Sequence, residues 1–179
     1  MAQDAFLQFK EVGDNAVVLN GETKDKIMSA LNPVPFEISE WSFGASNKLN
    51  IGSGTGGAGA GKVEFAPFNV TKAIDKASPY LFHTCCAGGH YKEVLLQIRR
   101  AGGTSANQSG DIYLKFDFKL VAIQSIKWQN GDPMPTEGIA FEYGALQISY
   151  SPQKSSGAMD TPKTQSWSRV LNSETFGAA

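Results

Sequence analysis

The run from Ile112 to Trp128 constrains the fold most. Over its first half Ile112, Leu114, Phe116, Phe118 and Leu120 alternate with Tyr113, Lys115, Asp117 and Lys119. A period of two is that of a strand with one face in a core. The usual strand has about five or six residues, and this run is several times that length. A strand so long bends or serves two sheets. Shorter runs repeat the pattern. Leu7 and Phe9 share a face between Ala5 and Lys10, and Val94, Leu96 and Ile98 share one between Glu93 and Ala101. Leu146, Ile148 and Tyr150 alternate with Gln147 and Ser149 in the stretch Ile139 to Tyr150, where Gly144 is a candidate bulge. Val17 to Leu19 is expected to pair with the first strand across the Gly13-Asp14-Asn15 turn.

Only one helix has clear signals. Ser78 suits an N-cap, Pro79 the first helical position, and Gly88-Gly89 the stop. Leu81 with Cys85, and Phe82 with Cys86, form i,i+4 pairs on an apolar stripe. Pro33 and Pro35 end any helix begun near Ile27. The pattern predicts a mainly β chain, a closed or nearly closed barrel with one short helix as a plug or lid. The domain is expected over residues 1–153. Residues 154–179 lack periodicity and read as an extended or docking tail, with Trp167, Val170 and Leu171 as the groups able to dock.

Between Phe36 and Val70 two strand-like arms flank a glycine-rich loop. Trp41 and Phe43 alternate with Glu40 and Ser42, which puts aromatics on one face and polar groups on the other. In the second arm Val63 and Phe65 share a face, opposite Glu64, Ala66 and Phe68. Gly52, Gly54, Gly56, Gly57, Gly59 and Gly61 lie between the arms. Such a tract packs no core of its own and suits a surface loop that carries contacts. Its spacing matches a dinucleotide fingerprint and most of a phosphate-binding loop. Both motifs need a helix next, and the phosphate loop needs a hydroxyl after its lysine. Lys62 is followed by Val63 and an alternating segment, so the glycines are read as a loop and no cofactor is expected.

Other classes fall for want of residues. Lys and Arg number 16 against 17 Asp and Glu, a balance that offers no footprint for nucleic acid or an anionic membrane. The first residues lack the basic and apolar regions of a secretory signal, and no apolar run is long enough to span a bilayer. Cys85 and Cys86 are adjacent and cannot staple distant elements, which suits synthesis in a reducing cytoplasm. With His83 and His90 they make a poor zinc set, because neighbouring cysteines splay apart, so buried thiols with solvent-facing imidazoles are expected and no metal. No nucleophile elbow, metal helix or matched acid–base pair occurs, and no catalytic residue is expected.

An ordered series of short matches carries a family resemblance. The opening MAQDAFLQF, Gly21 to Lys26, Trp41-Ser42-Phe43-Gly44, Gly57 to Val63, Thr71 to Pro79, Cys86 to His90, Arg99 to Gly103 and Tyr150 to Gln153 together resemble the Hcp (haemolysin-coregulated protein) family of bacterial type VI secretion systems. The resemblance implies a two-sheet barrel with a flanking helix, assembled as homohexameric rings. The rings would stack into a tube inside a sheath and behind a spike, with a bore that binds effectors before export. It implies a protein made without a signal peptide and secreted by that system. By the same resemblance the Glu40 and Ser42 face lines the bore, and the loop of Gly44, Gly52, Gly54, Gly56, Gly57, Gly59, Gly61 and Lys62 meets the next ring. A monomeric barrel holding a small ligand, with a pocket on the Ile112 to Leu120 face, is the rival reading.

Overall fold

The computed structural model describes residues 3–50, 59–100 and 110–178. The predicted long strand is β8, Ile112–Gln129, flanked by β7, His90–Arg100, and β9, Thr136–Tyr150. Both neighbours pair antiparallel with β8, and β7 also pairs antiparallel with β1, Gln3–Val12. On the far side of β9 lie β6, Phe68–Ala73, and β3, Glu40–Ser42; β2, Phe36–Ile38, pairs β1. The segment holding β2 and β3 closes the ring. Phe36 faces Leu7 of β1, while Glu40 faces Thr71 of β6. Ser39 between them donates its N–H to Thr71 O at 2.8 Å. One stretch of seven residues, 36–42, therefore bridges both edges of the sheet and leaves a nearly closed barrel.

The long strands bend at one level. In β8 the buried residues are Phe116 and Phe118 before Leu120, then Val121 and Ile123 after it. In β9 Phe141 and Tyr143 are buried before Gly144 and Leu146 after it. Lys119 faces Ala145 and Val121 faces Tyr143, so Leu120 and Gly144 lie opposite one another at the corner. Leu120 adopts φ 52°, turning its side chain outward to 44% exposure. Its expected place on the core face is thereby corrected. A methyl group on Gly144 would stand 3.1 Å from both the Leu120 and Ala178 Cβ atoms, so a side chain at this corner would crowd its neighbours. The expected bulge is not there: the pairing runs without a shift past Gly144, and the irregularity falls between Ile123 and Ser125. Beyond the corner β9 exchanges β6 for β10, Lys163–Ser168, so a single strand serves two halves of the sheet.

The interior is filled by aromatic rings. Phe68 packs 4.8 Å from Phe118, 5.4 Å from Phe116 and 5.4 Å from Phe141, and Trp41 lies parallel to Phe68 at 6.1 Å. Contacts at these spacings strengthen ordinary apolar burial. The second arm of the glycine-rich stretch is broken at Ala66-Pro67: β5, Gly59–Phe65, precedes it and β6 follows. Val17 to Leu19 forms no strand, although Leu19 is buried and Val18 exposed. The helix begun near Ile27 is only a 3-10 turn, Met28–Ala30.

In α1, Ser78–Ala87, Pro79 sits in the first turn and Gly88 takes the left-handed cap at φ 65°. Ser78 is not the N-cap, a position held by Ala77, because its hydroxyl is used in the buried cluster described below. The stripe also differs. Ser78, Leu81 and Thr84 are buried, while Phe82 and Cys86 face solvent and Cys85 is half-buried. An i,i+3 row beneath the helix serves better than the two i,i+4 pairs. His83 is exposed as expected, but His90 is half-buried with its ring against Gly13, so both halves of that expectation need correcting.

Candidate functional site

Strand alternation on β3 sends Trp41 inward against Phe68 and Phe116 and leaves Glu40 and Ser42 exposed. Pairing extends this outer face across four strands. One row runs Glu40, Thr71, Gly138, Lys127, and the next Ser42, Asn69, Ala140, Ser125, along β3, β6, β9 and β8. A shallow hollow of about 230 Å³ lies on it. No large apolar side chain occurs in either row, so the face stays wet while its reverse carries the aromatic core. The sequence pointed to Glu40 and Ser42; the other six residues are added by the pairing, which alternation within one strand does not reveal.

Of the residues singled out in the glycine-rich loop, Gly59, Gly61 and Lys62 belong to β5, which pairs β4, Ala45–Asn50. They are strand residues and not loop residues, a correction that follows from Ala45 facing Phe65 and Asn50 facing Gly59. Gly44 stands at the mouth of this ribbon and accepts a hydrogen bond from Ala66 N–H at 2.9 Å. Gly52, Gly54, Gly56 and Gly57 lie outside the described residues. Among the described residues the ribbon pairs with no other strand. Lys62 is followed by further strand, so the helix that a phosphate loop requires is replaced by β5.

A second cluster escaped the sequence reading. Lys72, 1% exposed, reaches Asp75 and Glu137 at 3.0 Å each, and Glu137 is fully buried. The Ser78 hydroxyl accepts from Lys72 Nζ and from the Asp75 N–H, both at 3.1 Å, and donates to Glu137 at 2.9 Å. The Trp128 indole N–H donates to the other Glu137 oxygen at 2.6 Å. One donor and two acceptor positions of the hydroxyl are all used. The cluster fastens α1 to β6, β8 and β9. Its signal lay in the spacing Lys72, Asp75, Ser78, but Glu137 and Trp128 become its neighbours only through the sheet.

Residues 163–168 are a strand, β10, and Arg169 continues it: the Arg169 N–H donates to Gly144 O at 2.8 Å. A hollow of about 660 Å³ opens between this C-terminal segment and the ribbon, lined by Phe65, Leu120, Glu142, Trp167, Arg169 and Val170 among others. The sequence had singled out Trp167 and Val170 but not Arg169, whose partners come from two elements, β5 and β9.

The chain is similar to proteins of one secretion system. A profile of the family described as "Type VI secretion system effector, Hcp" matches residues 6–150. The Protein hcp1 of Pseudomonas aeruginosa is 35% identical over 101 residues, which cover 55% of this chain and 60% of that relative's length. Among solved structures, one described as a type six secretion system protein superposes with a TM-score of 0.80 at 24% identity, over 97% of this chain and 100% of the other. Hcp1 from Salmonella typhimurium gives 0.69 at 21% identity, over 98% and 100%. These structures carry the fold: a nearly closed barrel with one short helix. The profile, spanning most of the barrel, carries the family, and the chain belongs to the Hcp family of type VI secretion proteins, a structural tube-protein family and not an enzyme family.

Proposed function

We propose that six copies of this chain close into a ring, that rings stack into the tube of a type VI secretion system, and that the Glu40 and Ser42 face lines its bore and holds effector proteins for export. The observation that carries this reading is the eight-residue face of Glu40, Thr71, Gly138 and Lys127 with Ser42, Asn69, Ala140 and Ser125. A channel wall must stay hydrated and must not trap cargo by apolar burial, and a face of polar, charged and very small residues over a solid sheet meets both needs. The spike and sheath are the remaining partners, and secretion by the same system is its route out of the cell. The ribbon from Gly44 to Lys62 makes the ring-to-ring contacts on this reading, because among the described residues β4 and β5 pair with no third strand and leave their edges to a neighbour.

Among the described residues Phe116 and Phe118 pack against Phe68, and Trp41 against Phe116, so the barrel interior beside these rings is filled with side chains and does not favour the rival small-ligand reading. Light scattering with negative-stain imaging of the same peak tests the assembly. Six-fold rings with the mass of six chains are expected; a monomer at every concentration would remove the proposal. Ser42→Gln should leave the rings and reduce co-purified effector, whereas loss of the ring would make that face a subunit interface.

A further inference from the structure

The ribbon is joined to the barrel by more than its two chain connections. Phe65, the last residue of β5, meets Tyr143 edge-on at 6.4 Å between ring centres. The Arg169 guanidinium lies over both rings, 4.8 Å from Tyr143 and 5.5 Å from Phe65. Arg169 Nη1 also donates to the Glu142 carboxylate and to Tyr143 O, the latter at 3.1 Å. Tyr143 is buried, its hydroxyl donates to Ala66 O at 3.4 Å, and burial raises its pKa so that it keeps its proton. The far end of the segment is seated as well: Ala178 packs at Gly144, and Lys119 Nζ stands 5.0 Å over the Phe176 ring. One cation thus bridges the ribbon's base, the barrel corner and the C-terminal segment.

We propose that the segment Arg169–Ala178 is a strap and Arg169 its positioning residue, fixing the angle at which the β4–β5 ribbon leaves the barrel. The geometry gives the reason. Two strands with no third partner are marginal by themselves, and the hollow of about 660 Å³ beside the ribbon gives it room to swing. A guanidinium can lie within cation–π reach of two rings and bond a carboxylate in one pose, which a compact ammonium without its fork of donors does not reproduce. The strap limits the ribbon to one orientation before any partner arrives, so the ordering cost on contact is already met in part. Its consequence for tube growth rests on the ring-to-ring reading of the ribbon.

Hydrogen exchange of the purified full chain tests the strap directly. Arg169→Met and Arg169→Lys are expected to speed exchange in residues 45–48 and 63–65 by about tenfold, with β7 amides at Val94, Leu96 and Ile98 unchanged. Unchanged ribbon exchange overturns the proposal. So does equal acceleration in β7, which would make Arg169 a general stabiliser, and so does full restoration by lysine, which would reduce the stack to an ion pair. Should Arg169→Met fail to fold, Phe65→Leu removes the stack from the other side with the same expected exchange pattern. Tube length is the separate readout. A loosened ribbon with normal tubes would keep the strap and remove the ring-to-ring role.

Discussion

The barrel and the ribbon use the same kind of ion pair at nearly the same distance, to different ends. Lys72 and Glu137 meet at 3.0 Å with 1% and 0% of their side chains exposed. Lys48 of the ribbon meets Glu64 at 2.7 Å with 79% and 59% exposed. Distance alone would rank the ribbon pair as the stronger. Burial reverses that order, because a charge that has left water depends on its partner, and a charge still in water does not. Fixed charges accordingly sit where the fold must be rigid, under α1, and replaceable ones sit where the chain is free to meet another surface.

The largest effect should come from removing the buried cation. Lys72→Met leaves Glu137 sealed and uncompensated, with only the Ser78 and Trp128 donors facing it. A loss of about 3–5 kcal/mol is expected from breaking a buried pair in this way. Denaturant unfolding measures it, and Trp128 fluorescence should shift as its Glu137 contact changes. Adding Glu137→Gln removes the stranded charge but keeps an acceptor for the indole and a group for Ser78, so the double variant should recover much of the loss. Equal stability of Lys72→Met and the parent would show that water reaches Glu137.

Next is the barrel corner. Gly144→Ala places a methyl group 3.1 Å from the Leu120 and Ala178 Cβ atoms. Overpacking of this sort costs about 1–3 kcal/mol. The ribbon offers a control for the comparison. Gly44→Ala would meet Ala66 Cβ at 3.8 Å, an ordinary contact, so its thermal midpoint should stay close to the parent's.

The rim of the barrel falls between the two extremes and is legible through pH. Asp25 accepts from Arg99 Nη2 at 2.6 Å and from the Ile27 and Met28 N–H groups at 3.0 Å each. Chiefly through the Arg99 bond, against the opposing effect of burial, its pKa falls from 3.8 to about 2. A lowered pKa means that the ionised form favours the folded state. The contribution is complete above about pH 4 and is lost as pH falls toward about 2. Asp25→Asn should flatten stability against pH in that window; an unchanged acid limb would assign it to other carboxylates. Arg99 is less fully served than Lys72, since its buried Nε and Nη1 have no acceptor among the described residues.

What the sequence disclosed follows the same division. Elements whose pattern is local were readable: β1, β7, β8 and β9 from alternation, and α1 from Pro79 and Gly88. Features made by residues far apart in the chain were not. Ser78 reads as a helix cap because the sequence has no way to show Glu137 beside it, 59 positions on. Leu120 continues a perfect alternation, and only the bend shared with Gly144 turns it outward. The last residues carry no period because β10 is a single short strand and Arg169 acts through ring contacts and hydrogen bonds, which leave no repeat. Of the candidate site, Glu40 and Ser42 were visible on one strand, while their row neighbours awaited the pairing of β3 with β6.

The smallest effect is expected at the shortest of the paired distances compared above. Lys48→Ala removes the ribbon's ion pair, yet both partners are more than half in water and each keeps its hydration when alone. The change should stay within about 0.5 kcal/mol, and 1 M salt should erase what remains. Chemical denaturation of the two lysine variants side by side sharpens the contrast, since each removes one cation from a pair near 3 Å. A Lys48→Ala loss approaching that of Lys72→Met would mean that the ribbon's charges are covered in solution. In that case a neighbouring chain, and not the barrel, would be what holds the ribbon in place.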